Sequence, residues 1–386
     1  MIKRIKIALI TDGLHPYVMG GMQRHSTMLA QHLHAHGVEL VVFHTAHSET
    51  GITASKALEG FSESVKAQIQ HVFVEYPKRG RLPGHYIRDS RKYSERLLQS
   101  YREQEIECDF IYAQGLTGRA FIEAKGEGRQ LPPIGVNCHG YEMFQRAASL
   151  RNKLEHLLLR RTFAQLTQQA DTVFSFSGKI REIVENRLGI CPEKIIQVPN
   201  AIDASWLRSG PSPSSGRSRF VFLGRYERRK GIEELHAVLS DWQGPEIEFV
   251  FIGPIPKEKQ LDLPWVQYRG SISGSDALQA ELDLGDVLVC PSYSEGMPTV
   301  ILEAMARGLA IVATDVGATR ELVDDGNGKL IPTLTVGALQ SALLAMSALP
   351  DGDLDTMKAM SLSRVSEYTW EQVSLDTLNS IEGVLL

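Results

Sequence analysis

The sequence predicts an α/β protein of two doubly wound domains that face each other across a central cleft. Three observations predict it. Short runs rich in Val, Ile and Phe alternate with helical stretches from end to end, the pattern of strand–helix–strand units. Several runs are apolar throughout, as parallel strands covered on both faces are. The polar stretch Ser209-Gly-Pro-Ser-Pro-Ser-Ser-Gly-Arg-Ser218 then divides the 386 residues into halves of similar size. Each half is long enough for its own core. The expected domains are 1–205 and 206–369.

In the first half the strands are expected at Ile5–Thr11, Val38–Thr45, Val72–Tyr76, Phe110–Gln114, Ile134–His139, Thr172–Ser177 and Ile195–Pro199. In the second they are expected at Phe220–Leu223, Ile247–Ile252, Val266–Gly270, Val287–Pro291, Ala310–Thr314 and Lys329–Ile331. Ligands of open α/β sheets bind beyond the carboxyl ends of the strands. Two such domains face to face therefore place a site in the cleft.

Composition narrows the class. The first residues, Met1 to Ile10, look like a leader, but Lys6 and Asp12 interrupt the apolar run and it reads as a strand. No apolar run approaches the length of a membrane span. Cys108, Cys138, Cys191 and Cys290 show no C-x-x-C spacing, so reduced thiols in a cytoplasmic protein are expected. Net charge is −5, but residues 1–205 hold 26 Lys and Arg against 21 Asp and Glu. An anionic partner of the first domain, such as a lipid phosphate, fits this. One basic cluster runs from Lys78 to Arg96. In another, Leu150, Leu154, Leu157 and Leu158 make an apolar face flanked by Arg151, Lys153, Arg160 and Arg161. That segment fits an interfacial helix, and equally a core helix with a basic outer face. Nucleic acid is not expected, because aromatics are not interleaved with these charges.

Four places carry chemistry. After the first strand, Gly20-Gly21 lies in a loop that leads into a helix ending near His36. It fits close backbone approach to a ligand, or simply a turn needing positive φ. His139-Gly140 stands at the end of an apolar run, where a histidine is either structural or beside a ligand. Gly224-Arg225-Tyr-Glu-Arg-Arg-Lys230-Gly231 puts Arg225 and Lys230 at a strand end beside a helix start, which suits a diphosphate. Arg228 and Arg229 read as a basic surface. Glu295-Gly296-Met297-Pro298-Thr299-Val300-Ile-Leu-Glu303 is a strand–loop–helix corner. It aims backbone N–H groups and the positive end of a helix dipole at one point, and favours phosphate. Thr299 and Glu303 share a helix face.

Other patterns fail. His32, His34 and His36 lack a Cys or acidic partner for zinc, and His34 points away from the other two. Asp351-x-Asp353-x-Asp355 lacks the glycine and final glutamate of a calcium loop. No G-x-G-x-x-G follows the first strand, which disfavours a nicotinamide or flavin.

Taken in order, the motifs resemble the retaining family 4 glycosyltransferases of GT-B fold, which have two Rossmann-like domains. The matching pieces are Gly20-Gly21 with His25, His139-Gly140, Ser177 through Lys179, and Pro199-Asn200-Ala-Ile-Asp203. They continue with Gly224-Arg225, Lys230-Gly231, Gly253-Pro254, Gly270-Ser271-Ile272, Glu295 with Glu303, and Gly317 with Glu321. The resemblance implies transfer of a sugar from a UDP- or GDP-sugar to a hydroxyl acceptor, with no metal and no cofactor. An acceptor that is lipid-linked or a surface-polysaccharide intermediate fits the basic first domain. Two locations fit: free in the cytoplasm, or peripheral on the inner face of the membrane. Arg225 and Lys230 would hold the diphosphate, with N–H groups near Thr299 and Val300. Glu303 would bind the ribose, Glu295 the donor sugar, and Ile272 the base. His139 would lie beside the transferred sugar, and Gly20-Gly21 would flank the reaction centre. His139, Arg225, Lys230 and Glu295 are thus the implied catalytic set. The helix opening at Trp370 and running to about 386 would pack back on the first domain. Many members carry an acidic residue after the paired glycines, where Gln23 and Arg24 stand here. A sugar-nucleotide epimerase and a non-catalytic sugar-nucleotide binder are the alternatives.

Overall fold

The computed structural model describes residues 4–18, 20–45, 56–78, 80, 84–214, 216 and 218–386. Arg79 and Arg81 of the basic run, and Ser215 and Arg217 of the linker, lie outside them. The first domain holds seven strands: β1 (Lys6–Ile10), β2 (Glu39–His44), β3 (Gln70–Phe73), β4 (Phe110–Gln114), β5 (Ile134–Asn137), β6 (Thr172–Ser175) and β7 (Ile195–Gln197). They pair in parallel in the order β3-β2-β1-β4-β5-β6-β7. The second holds β8 (Arg219–Leu223), β9 (Glu248–Ile252), β10 (Val266–Gly270), β11 (Val287–Cys290), β12 (Ala310–Thr314) and β13 (Gly328–Ile331). Their order is β10-β9-β8-β11-β12-β13, again parallel.

All thirteen expected strands form, and the central ones are apolar throughout because helices cover them on both faces. Ile7, Ala8, Leu9 and Ile10 are 0% exposed, for example. β3 is the one clear displacement, starting two residues before the expected Val72. It is an edge strand with only Val72 buried, and its register is set by pairing Val41 with Gln70 and His44 with Phe73. An apolar run cannot report register where one strand side has no neighbour.

Both sheets reverse strand order at a single point, β1/β4 in the first and β8/β11 in the second. The loops after β1, β8 and β11, which carry Gly20-Gly21, Arg225 with Lys230, and Glu295 to Glu303, leave the two sheets at these reversals. The linker is less free than its composition suggests. Ser212 donates to the Asp283 carbonyl (2.9 Å), and the Ser214 N–H and hydroxyl bind Asp355 (2.9 and 2.7 Å). These bonds tie it to the second domain. The chain crosses back where Ile202 bridges Thr369. The helix Trp370–Leu385 then lies on the helix Gly21–Ala35 of the first domain, burying Trp370, Val373 and Ile381.

Candidate active site

The loop between β11 and the helix Thr299–Ala306 carries Glu295, whose side chain is only 9% exposed. Lys230 Nζ donates to its Oε1 at 2.7 Å, as does the Ser292 hydroxyl at 2.7 Å. Arg229 Nη1 reaches its Oε2 at 3.2 Å and the Ser294 carbonyl at 2.9 Å. Gly231 brings this about. It sits at φ 68°, the left-handed region, and a Cβ there would stand 1.9 Å from the Pro291 carbonyl oxygen. Only glycine lets the β8 loop lie so close to the β11 loop.

Burial pushes the Glu295 carboxyl up, but Lys230 and Arg229 outweigh it and hold it at about 2, below the ordinary 4.5. Because the folded value is the lower one, the stability it contributes is complete above about pH 4.5. It is lost as pH falls towards 2. We expect Glu295→Gln to cost about 3 kcal/mol at neutral pH. The gap from wild type should close as pH is lowered through that window in urea unfolding. A gap that stays constant with pH would contradict the pairing.

The first domain grips the same loop. Gln145 donates to the Glu295 carbonyl at 2.6 Å and Asn200 to the Met297 carbonyl at 2.6 Å. A Cβ at Gly296 would stand 1.8 Å from the His139 carbonyl oxygen. Phe176 and Met297 belong to one apolar cluster that runs from domain to domain. Across the cleft, Arg24 Nη1 meets Glu303 Oε1 at 2.7 Å, with Glu303 6% exposed. Gly21, Arg24, His25, Asn200, Thr299 and Glu303 surround a cavity of about 10 Å³. Burial raises the Glu303 carboxyl, against the pull of Arg24.

His139 adopts φ 58° two residues after the end of β5. Its Nε2 lies 2.5 Å from Gln114 Oε1, and Gln114 Nε2 lies 3.3 Å from His25 Nδ1. Oε1 can only accept, so His139 carries its proton on Nε2, and the amide donates onward to His25. That leaves His25 with its proton on Nε2, a buried atom without a partner among the described residues. Burial holds His25 at about 3 and His139 well below its ordinary range, so both are neutral imidazoles at neutral pH.

Residues 19–206 match the model of Glycosyltransferase Family 4, and residues 217–348 that of Glycosyl transferases group 1. The chain belongs to the family 4 glycosyltransferases of GT-B fold. A phosphatidyl-myo-inositol mannosyltransferase of Mycolicibacterium smegmatis is 30% identical over 58% of this chain and 64% of its own length. A GDP-mannose:cellobiosyl-diphosphopolyprenol alpha-mannosyltransferase of Xanthomonas oryzae pv. oryzae is 26% identical over 62% of this chain and 65% of its own. The matches thus span just under two thirds of these relatives. A sucrose-phosphate synthase from Thermosynechococcus elongatus superposes with a TM-score of 0.77 over 97% of this chain and 98% of that one, at 19% identity. This likeness is one of fold.

In this family 4 glycosyltransferase the residues expected at the site are unequally gathered. Lys230 binds Glu295, Gly296 lies against the His139 carbonyl and Met297 packs in the interdomain apolar cluster, while Gly21, Thr299 and Glu303 share the small cavity. Arg225 does not join them. Its side chain is 73% exposed and pairs with Glu227 at 3.0 Å. Pro298 is the N-cap of the helix Thr299–Ala306, and Val300 is half-buried in its first turn. Ile272 is half-buried just beyond β10. Gly20 and Gly21 need no positive φ. Gly20 is extended at φ 171°, and a Cβ at Gly21 would meet nothing within 4 Å. The basic-surface reading of Arg228 and Arg229 is corrected. Arg228 is bound by Glu234 and stacks on Tyr293 at 4.8 Å, and Arg229 holds Glu295. Gln114 went unmarked. Its position as the last residue of β4, at the strand-order reversal, is the signal that would have found it.

Proposed function

We propose that this glycosyltransferase moves a sugar from a nucleoside-diphosphate sugar to a hydroxyl acceptor, with retention and without a metal ion. One observation carries the reading. Lys230 and Arg229 close on the buried Glu295 in a single ion cluster beside the N-terminus of the helix Thr299–Ala306. A departing diphosphate must take up negative charge. Fixed cations and first-turn N–H groups stabilise it there without having to reorganise. Lys230 spends one of its three N–H donors on Glu295 and keeps others for phosphate. Glu295, fixed from both sides, is suited to receive donor-sugar hydroxyls, and Glu303 ribose hydroxyls in exchange with Arg24. His139, neutral and held by Gln114, would line the sugar pocket as a hydrogen-bonding and packing group, not as a charge. The Xanthomonas relative's name joins a GDP-sugar donor to a diphosphopolyprenol-linked acceptor. A lipid-linked acceptor of the present chain would agree with its basic first domain.

The test is nucleotide release from a panel of UDP- and GDP-sugars with and without EDTA, the anomeric configuration of the product being read by NMR. We expect one donor to turn over equally well with chelator and to give a retained product. Release abolished by EDTA, or no turnover of any donor, would overturn the proposal.

A further inference from the structure

The helix Leu150–Gln169 buries only Phe163, Leu166 and Thr167 in the core, all in its second half. Its first half presents Leu150, Leu154, Leu157 and Leu158 to solvent, at 81%, 65%, 51% and 55% exposure. A core helix is therefore excluded for this stretch. At about 100° per residue these four positions form one apolar stripe. Arg151 lies along one edge, Lys153 and Arg160 along the other, and Arg161 within it. Glu155 is the only acidic residue between Arg146 and Ala170, and Arg151 already pairs with it at 3.1 Å. Leu159, on the opposite side, packs against the core, so the stripe faces outward by construction.

We propose that this half-helix docks the enzyme flat on an anionic lipid bilayer, with the four leucines in the acyl boundary and the flanking cations among the headgroups. An apolar stripe edged by cations is what a bilayer interface accepts. A second copy of the helix would bring cation against cation, and a solvated helix would not expose four leucines in register. At the edge of the stripe Arg160 turns into an interdomain cavity of about 630 Å³, which Arg146 and Arg187 also line. Arg160, Arg146 and Arg187 donate to the backbone carbonyls of Met143, Leu334 and Phe144. Docking would set that cationic cavity beside the headgroups. The inference goes beyond the donor reading and does not rest on it.

The test is co-sedimentation of the full chain with phosphatidylglycerol-containing vesicles and with phosphatidylcholine vesicles. We expect binding to the anionic vesicles alone. Leu154→Ser with Leu157→Ser should weaken it at least tenfold, and so should Arg151→Gln with Arg161→Gln. The four side chains are exposed, so melting temperature and nucleotide release should stay at wild-type values. Absence of binding to anionic vesicles, or binding that both double variants retain, overturns the proposal. So does a concentration-dependent dimer in sedimentation equilibrium that the leucine variant dissolves. A chain that binds vesicles but turns over no donor leaves this proposal standing and removes only the previous one.

Discussion

Lys230→Ala is expected to lower donor turnover about 10²- to 10³-fold, the scale of removing one preorganised charge-stabilising donor from an active site. Two losses combine. The diphosphate loses a point charge in a place where the side chain is only 18% exposed, so water screens it weakly. Glu295 also loses the larger of its two charge partners, and burial then pushes its carboxyl up. The acid limb of the pH–rate profile should therefore move to higher pH in the variant. Arg229→Ala should behave differently. Arg229 is farther from the carboxylate, at 3.2 Å, and shares its guanidinium with the Ser294 carbonyl. We expect about a tenfold fall in kcat with donor affinity near wild type. Calorimetry with the nucleoside diphosphate separates the two. Equal losses of affinity would show that Lys230 has no special hold on the phosphates.

Gly296→Ala is expected to lower kcat/KM about 10²-fold while leaving each domain folded. The added Cβ would fall 1.8 Å from the His139 carbonyl oxygen and 2.8 Å from the Phe176 ring. The first of these is backbone, which cannot swing aside as a flexible side chain does. Relief requires the 295–298 loop to withdraw from the first domain. That stretches the Gln145 bond to the Glu295 carbonyl and the Asn200 bond to the Met297 carbonyl. A displacement of about 1 Å at the reacting groups is enough for a loss of this size. Donor binding to the second domain should persist in calorimetry, because Lys230 and the helix N-terminus are untouched. A variant with wild-type turnover would mean that closure of this loop against His139 plays no part in the reaction.

Much of the molecule was legible beforehand. The strands announced themselves because parallel strands buried on both faces must be apolar throughout, as Phe110 to Ala113 and Val287 to Cys290 are. The corner from Glu295 to Glu303 was legible because a helix start after a strand has few alternative geometries. Edge register was not legible, as β3 shows, since it depends on a partner distant in sequence. Nor was the division of labour among the cations. Arg225, Arg228, Arg229 and Lys230 share one short loop. Whether each faces solvent, Glu234 or Glu295 follows from how Gly231 turns against Pro291.

The sequence by itself determined two parallel α/β sheets, the family, and the loops that meet at the two strand-order reversals. Periodicity, buried apolar runs and glycine placement are local properties, and the chain states them directly. The tertiary structure alone decided which side chains share an atom. It paired Glu303 with Arg24 across 279 residues, joined Gln114 to two histidines, and turned the Leu150–Leu158 stripe to solvent. Such contacts depend on the mutual placement of two domains and on which helix face the core leaves uncovered. A spacing pattern along one chain has no term for either.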